Sequence, residues 1–182
     1  MDTHGHRFHG SADRLRSPER VARLEVDRVV GLSLEGIEAR SVVDVGIGAG
    51  VFSEAFAARG LTVSGIDVNP EMVAETRRVV PDGVFTEALA EHLPYADGSH
   101  DLVFMAHVLH EVSDATQALR EARRVARLRV VVLEWPYAAE TFGPPLEHRL
   151  DDATIQGHMR AAGFSQIERI TLAHMEMYRL AR

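Results

Sequence analysis

The sequence predicts an α/β fold: a mostly parallel β-sheet with helices on both faces, ended by an antiparallel pair of strands. Three features carry this prediction. Short β-branched runs alternate with amphipathic helical stretches, the pattern from which right-handed crossovers build a parallel sheet. A glycine-rich turn follows the first such run directly, at the kind of strand end where parallel sheets bind ligands. The last two strand-like runs are joined by a short connection, as in an antiparallel pair at a sheet edge. At 182 residues the chain has the size of one domain with a single core. It divides into a loosely ordered lead-in over residues 1–17 and one domain over 18–182.

Ser17-Pro18-Glu19 reads as the N-cap, N1 proline and first-turn acid of a helix. Ala22, Val26, Val29 and Val30 give that helix an apolar stripe through about Leu34. Val42 to Val45 is a short apolar strand ended by Gly46. A helix from about Gly50 to Ala58, closed by Gly60, leads to a strand from Leu61 to Ile66 with Asp67 at its tip. Asn69-Pro70 caps a helix to about Val79. "GVFTEA" is a weaker strand and Asp101 to Ala106 a stronger one. A helix from about Ser113 to Arg127 runs into the β-branched "RVVVLEW". The Gly- and Pro-rich "ETFGPPLEHR" is a loop before a helix from about Asp151 to Ala162, closed by Gly163. "SQIERI" and "HMEMYRLA" make the final pair.

Composition narrows the chemistry. The chain has no cysteine, which removes disulfides, thiolate catalysis and cysteine-held metals. All 20 Lys and Arg residues are Arg, so a Schiff-base lysine and a Walker lysine are both excluded. A formal charge of -7 argues against nucleic acid as the main partner, since phosphate neutralisation supplies most of such binding. The basic stretch "LREARRVARLR" carries Ala118, Leu119, Ala122, Val125 and Ala126 at helical spacing, so its arginines read as a solvated helix face. No apolar run approaches the roughly 18 residues that cross a bilayer. The opening "MDTHGHRFHG" lacks the apolar centre of a secretory signal, so the cytoplasm is the expected compartment. His4, His6 and His9 read as a solvated tail, and no metal is expected.

The stretch "VVDVGIGAGVF" places Gly46, Gly48 and Gly50 immediately after a strand, where backbone without a Cβ can approach a ligand closely. Asp67, closing the next strand, can accept hydrogen bonds from both hydroxyls of a ribose. The dinucleotide fingerprint Gly-x-Gly-x-x-Gly fails by one residue, because the third glycine is Gly50 and the sixth motif position is Val51. Ahead of the loop stands an acid, Asp44, suited to an ammonium group rather than a pyrophosphate. A ligand with a cationic amino-acid end, a ribose and no phosphate fits both acids, and S-adenosylmethionine is such a ligand.

At these residues the sequence resembles the class I S-adenosylmethionine-dependent methyltransferases, in particular the small-molecule type 11 group related to ubiquinone and menaquinone methyltransferases. "VVDVGIGAGVF", "VSGIDVNPEMVAETRR", "ALAEHLPYADGSHDLVFMAHVLHEVSD" and "AAGFSQIERI" are similar to that group's successive motifs, over nearly the whole chain. The resemblance implies a Rossmann-like seven-stranded sheet ending in a reversed β-hairpin. It implies that Gly46, Gly48 and Gly50 line the methionine end of the cofactor and that Asp67 holds the ribose. Val68 and Met72 would pack on the adenine, Ala90 would offer its N–H to the ring, and Met105 with Ala106 would approach the methionine. One departure is Leu89, where relatives often carry an acid for the adenine amino group; Glu87 or Glu91 are the substitutes at hand.

Methyl transfer from a sulfonium needs an acceptor atom in line with the methyl group and a site that excludes water. A protic acceptor also needs a base, and "HVLHE" offers His107 and His110 after the fourth strand. The competing reading makes them a polar lining residue and a surface histidine. Glu134, Trp135, Tyr137, His148 and Arg149 are the candidates for holding the acceptor; Trp135 either stacks on a flat acceptor or simply packs. The expected partner is a small organic molecule, with a homodimer left open. A protein that binds S-adenosylmethionine or its demethylated product without efficient transfer is the alternative, and a nicotinamide-dependent oxidoreductase is disfavoured by the glycine spacing.

Overall fold

A computed structural model describes residues 11–182. In chain order the elements are α1 (Ala12–Leu15), α2 (Pro18–Arg23), α3 (Val26–Leu34), β1 (Ser41–Val45), α4 (Val51–Ala58), β2 (Thr62–Asp67), α5 (Pro70–Val79) and β3 (Val84–Glu87). There follow β4 (His100–Ala106), α6 (Ala115–Val125), β5 (Ala126–Glu134), a 3-10 turn (Leu146–His148), α7 (Asp152–Ala161), β6 (Ile167–Thr171) and β7 (Glu176–Ala181). Most helix starts are set by side-chain caps: Ser17, Asn69, Asp114 and Asp151 each accept a backbone N–H of the first turn.

Seven strands form one sheet in the order β3-β2-β1-β4-β5-β7-β6. From β3 to β5 all neighbours are parallel, and β7 runs antiparallel between β5 and β6. The chain moves outward from β1 to β3, then returns to lay β4 on the other side of β1. The loops after β1 and β4 therefore diverge from one end of the sheet and open a crevice there.

Strand alternation assigns the two cores. Val43, Val45 and Val103 face Ala118, Leu119, Ala122 and Val125 of α6 and Ile155 and Met159 of α7. Val42, Leu102 and Phe104 face Val29 and Val30 of α3 and Phe52 and Phe56 of α4. Asp44 shares the face of Val42, so its carboxylate enters the α4 layer rather than solvent. Among the described residues no helix is long and apolar enough to cross a membrane.

Three sequence expectations change. The helix expected from Pro18 to Leu34 is two helices, broken at Glu25, whose φ is +45°. Its carboxylate accepts the Ala173 N–H at 2.7 Å, a contact with the β6–β7 connection that no local pattern encodes. The helix expected to reach Arg127 ends at Val125, because Ala126 already pairs with His100 in the β4–β5 ladder. Part of the expected loose lead-in is ordered: Ser11 caps α1, and Leu15 is buried. His4, His6 and His9 lie outside the described residues.

Candidate functional site

Gly46, Gly48 and Gly50 all adopt left-handed backbone, with φ of +72°, +51° and +78°, which side chains disfavour by about 1–2 kcal/mol each. Their bare faces meet different neighbours. A Cβ on Gly46 would lie 2.6 Å from Val108 Cγ2, and one on Gly50 would press on Thr76 and Val79 of α5 at 3.0 Å. Gly46 and Gly48 line a cavity of about 40 Å3 together with Asp44 and Ala106, whereas Gly50 serves helix packing. Of the three glycines expected to line a cofactor, Gly46 and Gly48 line this cavity and Gly50 packs on α5.

Two acids flank this loop. Asp67, half-buried, accepts the Gly48 N–H on one carboxylate oxygen and the Asn69 N–H on the other, both at 2.9 Å. It ties the glycine loop to the tip of β2 and keeps lone pairs for further donors. Burial pushes its pKa above the ordinary carboxylate value, against the lowering pull of the Asn69, Gly48 and Val68 N–H groups. Asp44, 2% exposed, accepts the Ser53 hydroxyl at 2.6 Å. Burial drives its pKa up to about 7; the Ser53 hydrogen bonds pull it down and the charge of Asp67 adds to the rise.

The remaining cofactor candidates divide. Ala106 lines the cavity, but Met105, one residue earlier, turns its side chain into the α6–α7 core and is 1% exposed; alternation along β4 allows only one of the pair to face the crevice. Met72 is buried against Leu15 and Ala49, so α1 covers the surface expected for the adenine. Val68 is exposed and Ala90 buried. Of the two possible replacements at Leu89, Glu91 receives the Ser113 and Asp114 N–H groups before α6, while Glu87 pairs with Asp67 across β2 and β3.

On the other side of the crevice, Glu134 ends β5 and is 2% exposed. It accepts the Leu109 N–H at 2.8 Å and binds His110 Nδ1 at 2.8 Å. Burial works against a charged His110, but the charge and hydrogen bond of Glu134, with help from Glu111, outweigh it and raise the imidazole pKa. His107 has a φ of +60°, stacks on Trp135 at 4.4 Å and places Nε2 3.2 Å from Met175 Sδ. Burial, then Arg20 and His110, lower its pKa well below the ordinary imidazole value.

The acceptor candidates are not brought together as one open surface. Glu134 points inward to His110. Trp135 is buried between His107 and Phe142, with the Arg149 guanidinium 5.7 Å from its ring. Arg149, expected to contact the acceptor, is itself buried and donates to the carbonyls of Pro144 at 2.9 Å, Pro136 at 3.0 Å and Phe142. It pins the loop after β5 because that loop's carbonyls have no strand partner. Tyr137 is exposed on the same loop, and His148 closes the 3-10 turn. Sequence reasoning missed Arg20 and Leu15, which line the cavity from α1 and α2, and Met175 behind His107. Their only local signal is the cap at Ser17; the fold-back of α2 decides the rest.

The strand order, the antiparallel β7 and the glycine loop beside two acids match the architecture of class I S-adenosylmethionine-dependent methyltransferase domains. Residues 43–132, just under half of the chain, match the protein family described as "Methyltransferase domain", and the cofactor this match and the structural neighbours imply is S-adenosylmethionine. A demethylmenaquinone methyltransferase of Renibacterium salmoninarum is 35% identical over 119 residues, 64% of this chain and 49% of that protein. One of Beutenbergia cavernae is 41% identical over 96 residues, 52% of this chain and 40% of that protein. The chain thus matches about half or less of the length of these curated relatives. A solved S-adenosylmethionine-dependent methyltransferase from Aquifex aeolicus shares the fold with a TM-score of 0.80 at 22% identity, covering 93% of this chain and 95% of that one.

Proposed function

We propose that this chain transfers the methyl group of S-adenosylmethionine to a small organic acceptor bearing an acidic proton. The observation that carries the reading is the pair of acids about the glycine loop: Asp44 in the cavity, and Asp67 tied to Gly48 while keeping acceptor capacity. Asp67 would hold the ribose hydroxyls, Asp44 the ammonium group, and Gly46, Gly48 and Ala106 the methionine arm. Met72, Val68 and Ala90 would meet the adenine once Leu15 moves aside. The cofactor supplies an electrophilic methyl group on a sulfonium; the protein supplies position and the proton's destination.

His110 is the base in this reading. Glu134 receives its Nδ1–H, which fixes the tautomer, and Nε2, 3.6 Å from a Glu111 carboxylate oxygen, is the nitrogen that would take the acceptor's proton. His107, held neutral on Trp135, forms a wall of the acceptor site, with Tyr137 and His148 at its rim. The names of the curated relatives make demethylmenaquinone-like quinols the first acceptors to try, and the cytoplasm the compartment to examine.

Calorimetric titration with S-adenosylmethionine, S-adenosylhomocysteine and NADH tests the cofactor. Micromolar binding of the first two and none of the third is expected. Absence of binding to both adenosyl ligands overturns the reading. Methyl transfer from labelled cofactor to a panel of quinols and phenols then tests the acceptor class.

A further inference from the structure

The turn after β4 carries a second carboxylate beside His110. The Val108 carbonyl accepts the N–H groups of both Glu111, at 3.0 Å, and Val112, at 3.2 Å, so residues 108–112 close a single helical turn. Sequence neighbours on such a turn do not face each other, yet Glu111 Oε1 lies 3.6 Å from His110 Nε2. Glu134 holds Nδ1 at 2.8 Å from the other side. The imidazole is thus bracketed by two acids of different exposure: the side chains of His110 and Glu134 are 5% and 3% exposed, that of Glu111 30%.

We propose that Glu111 is a positioning residue for methyl transfer: it holds the His110 ring from the Nε2 side and stabilises the proton that this nitrogen takes from the acceptor. The assignment rests on the reading of His110 as base. Glu134 fixes the tautomer but faces Nδ1, the nitrogen that does not receive the transferred proton. An opposite charge within about 4–6 Å favours the protonated ring, and Glu111 supplies that charge where the proton arrives. As the methyl group moves from sulfur to the acceptor atom, the acceptor's proton passes to the Nε2 lone pair, and the imidazolium so formed has a carboxylate at each nitrogen. Before transfer the lone pair and the Glu111 oxygen repel; afterwards Nε2–H and the same oxygen attract. The other charged groups around the ring do not help. Arg149, from the loop after β5, opposes the imidazolium. His107, on the same loop, is held neutral by burial and then by Arg20, and Arg20, from α2, faces Glu111 as well. Glu134 and Glu111 are the two groups that favour the charged ring.

The test pairs a measurement on the ring with one on the reaction. Histidine-labelled wild type, Glu111→Gln and Glu111→Asp are titrated by NMR without ligands, and the pH profile of methyl transfer is recorded for each with the quinol or phenol that turns over fastest. In Glu111→Gln the His110 titration midpoint and the acidic limb of the profile should both move to lower pH, by roughly half to one pH unit. Turnover above the limb should fall about two- to threefold, as for a weaker base, with S-adenosylhomocysteine affinity within about twofold of wild type. Glu111→Asp keeps the charge on a shorter arm, so its midpoint and limb should fall between those of Glu111→Gln and the wild type. An unmoved midpoint in Glu111→Gln overturns the proposal, because a side chain that only packs against the turn would leave the titration where it was. A midpoint that falls while the limb of the rate profile stays in place sinks His110 as the base and the positioning role with it, a failure of the functional reading distinct from the first.

Discussion

Asp44 and Glu134 lie near the C-terminal ends of two parallel strands, and each is 2% exposed; their surroundings are opposite. Glu134 is surrounded by donors: the Leu109 N–H, His110 Nδ1 and the Trp135 N–H at 3.4 Å. Asp44 has the Ser53 side chain and lies next to a cavity. The β5 side of the crevice is therefore complete within the protein, whereas the β1 side holds a buried carboxyl group with no ion-pair partner among the described residues. A buried ion is tolerated when it is paired. On the proposed reading, the β1 side is the one that a ligand completes, and the β5 side is a frame for His110.

The largest effect should come from breaking that frame. Glu134→Ala leaves His110 and the Leu109 N–H without their acceptor in a buried place, which typically costs about 3–5 kcal/mol. Urea unfolding of wild type and variant at pH 6.5 measures it. A loss below about 1 kcal/mol would mean that water replaces the carboxylate and that the β5 side is as open as the β1 side.

Next in size is the chemistry carried by the pair. His110→Ala should lower turnover about 100-fold or more with cofactor affinity within twofold, and His107→Ala should act mainly on acceptor KM. Equal turnover in His110→Ala would demote His110 to a lining residue. The sign of the pH dependence follows from the raised imidazole pKa: His110 must lose its proton to act as base, so turnover rises with pH through that raised value. In Glu134→Gln the anion is gone, the imidazole pKa falls, and the acidic limb of the rate profile should move to lower pH. A profile that does not move would show that the limb belongs to another group.

A smaller loss is expected on the β1 side. Asp67→Ala removes an acceptor from the ribose hydroxyls and from the Gly48 N–H. Each charged hydrogen bond is worth about 1.5–3 kcal/mol, so S-adenosylhomocysteine should bind at least tenfold more weakly. Affinity equal to wild type would remove Asp67 from the cofactor site.

The two sides also differ in how much of them could be read beforehand. The glycine loop and Asp67 were legible because they are local: left-handed turns require glycine, and a strand tip is set by where its apolar run stops. The parallel sheet followed from the alternation of runs, and its seven strands from the family likeness. What stayed hidden depends on contacts between distant segments. Arg16, beside Leu15, reaches the Ala49 carbonyl 33 residues away, and His107 meets Met175 at a separation of 68. Arg149 looked like an acceptor ligand because a cation in a Gly- and Pro-rich loop suggests binding; the same irregular loop left carbonyls that the guanidinium had to satisfy.

The finest discrimination between the two acids is a pH experiment on stability. The folded-state pKa of Asp44 is raised to about 7, above the value it would have in the unfolded chain, so the folded protein binds the extra proton. The stability linked to that proton is fully present below the ordinary aspartate value and is lost as pH rises through about 7. Asn at this position can still accept the Ser53 hydroxyl but does not titrate. Between pH 6 and 8 the wild type should therefore lose about 1.4 kcal/mol relative to Asp44→Asn, measured by urea unfolding without cofactor. Parallel pH curves would mean that Asp44 is ionised throughout by an internal partner, as Glu134 is framed by His110, and the β1 side would lose its claim to be the half that waits for a cation. A crossing of the two curves, abolished for the wild type by saturating S-adenosylhomocysteine, would place the ligand's ammonium group against this carboxylate.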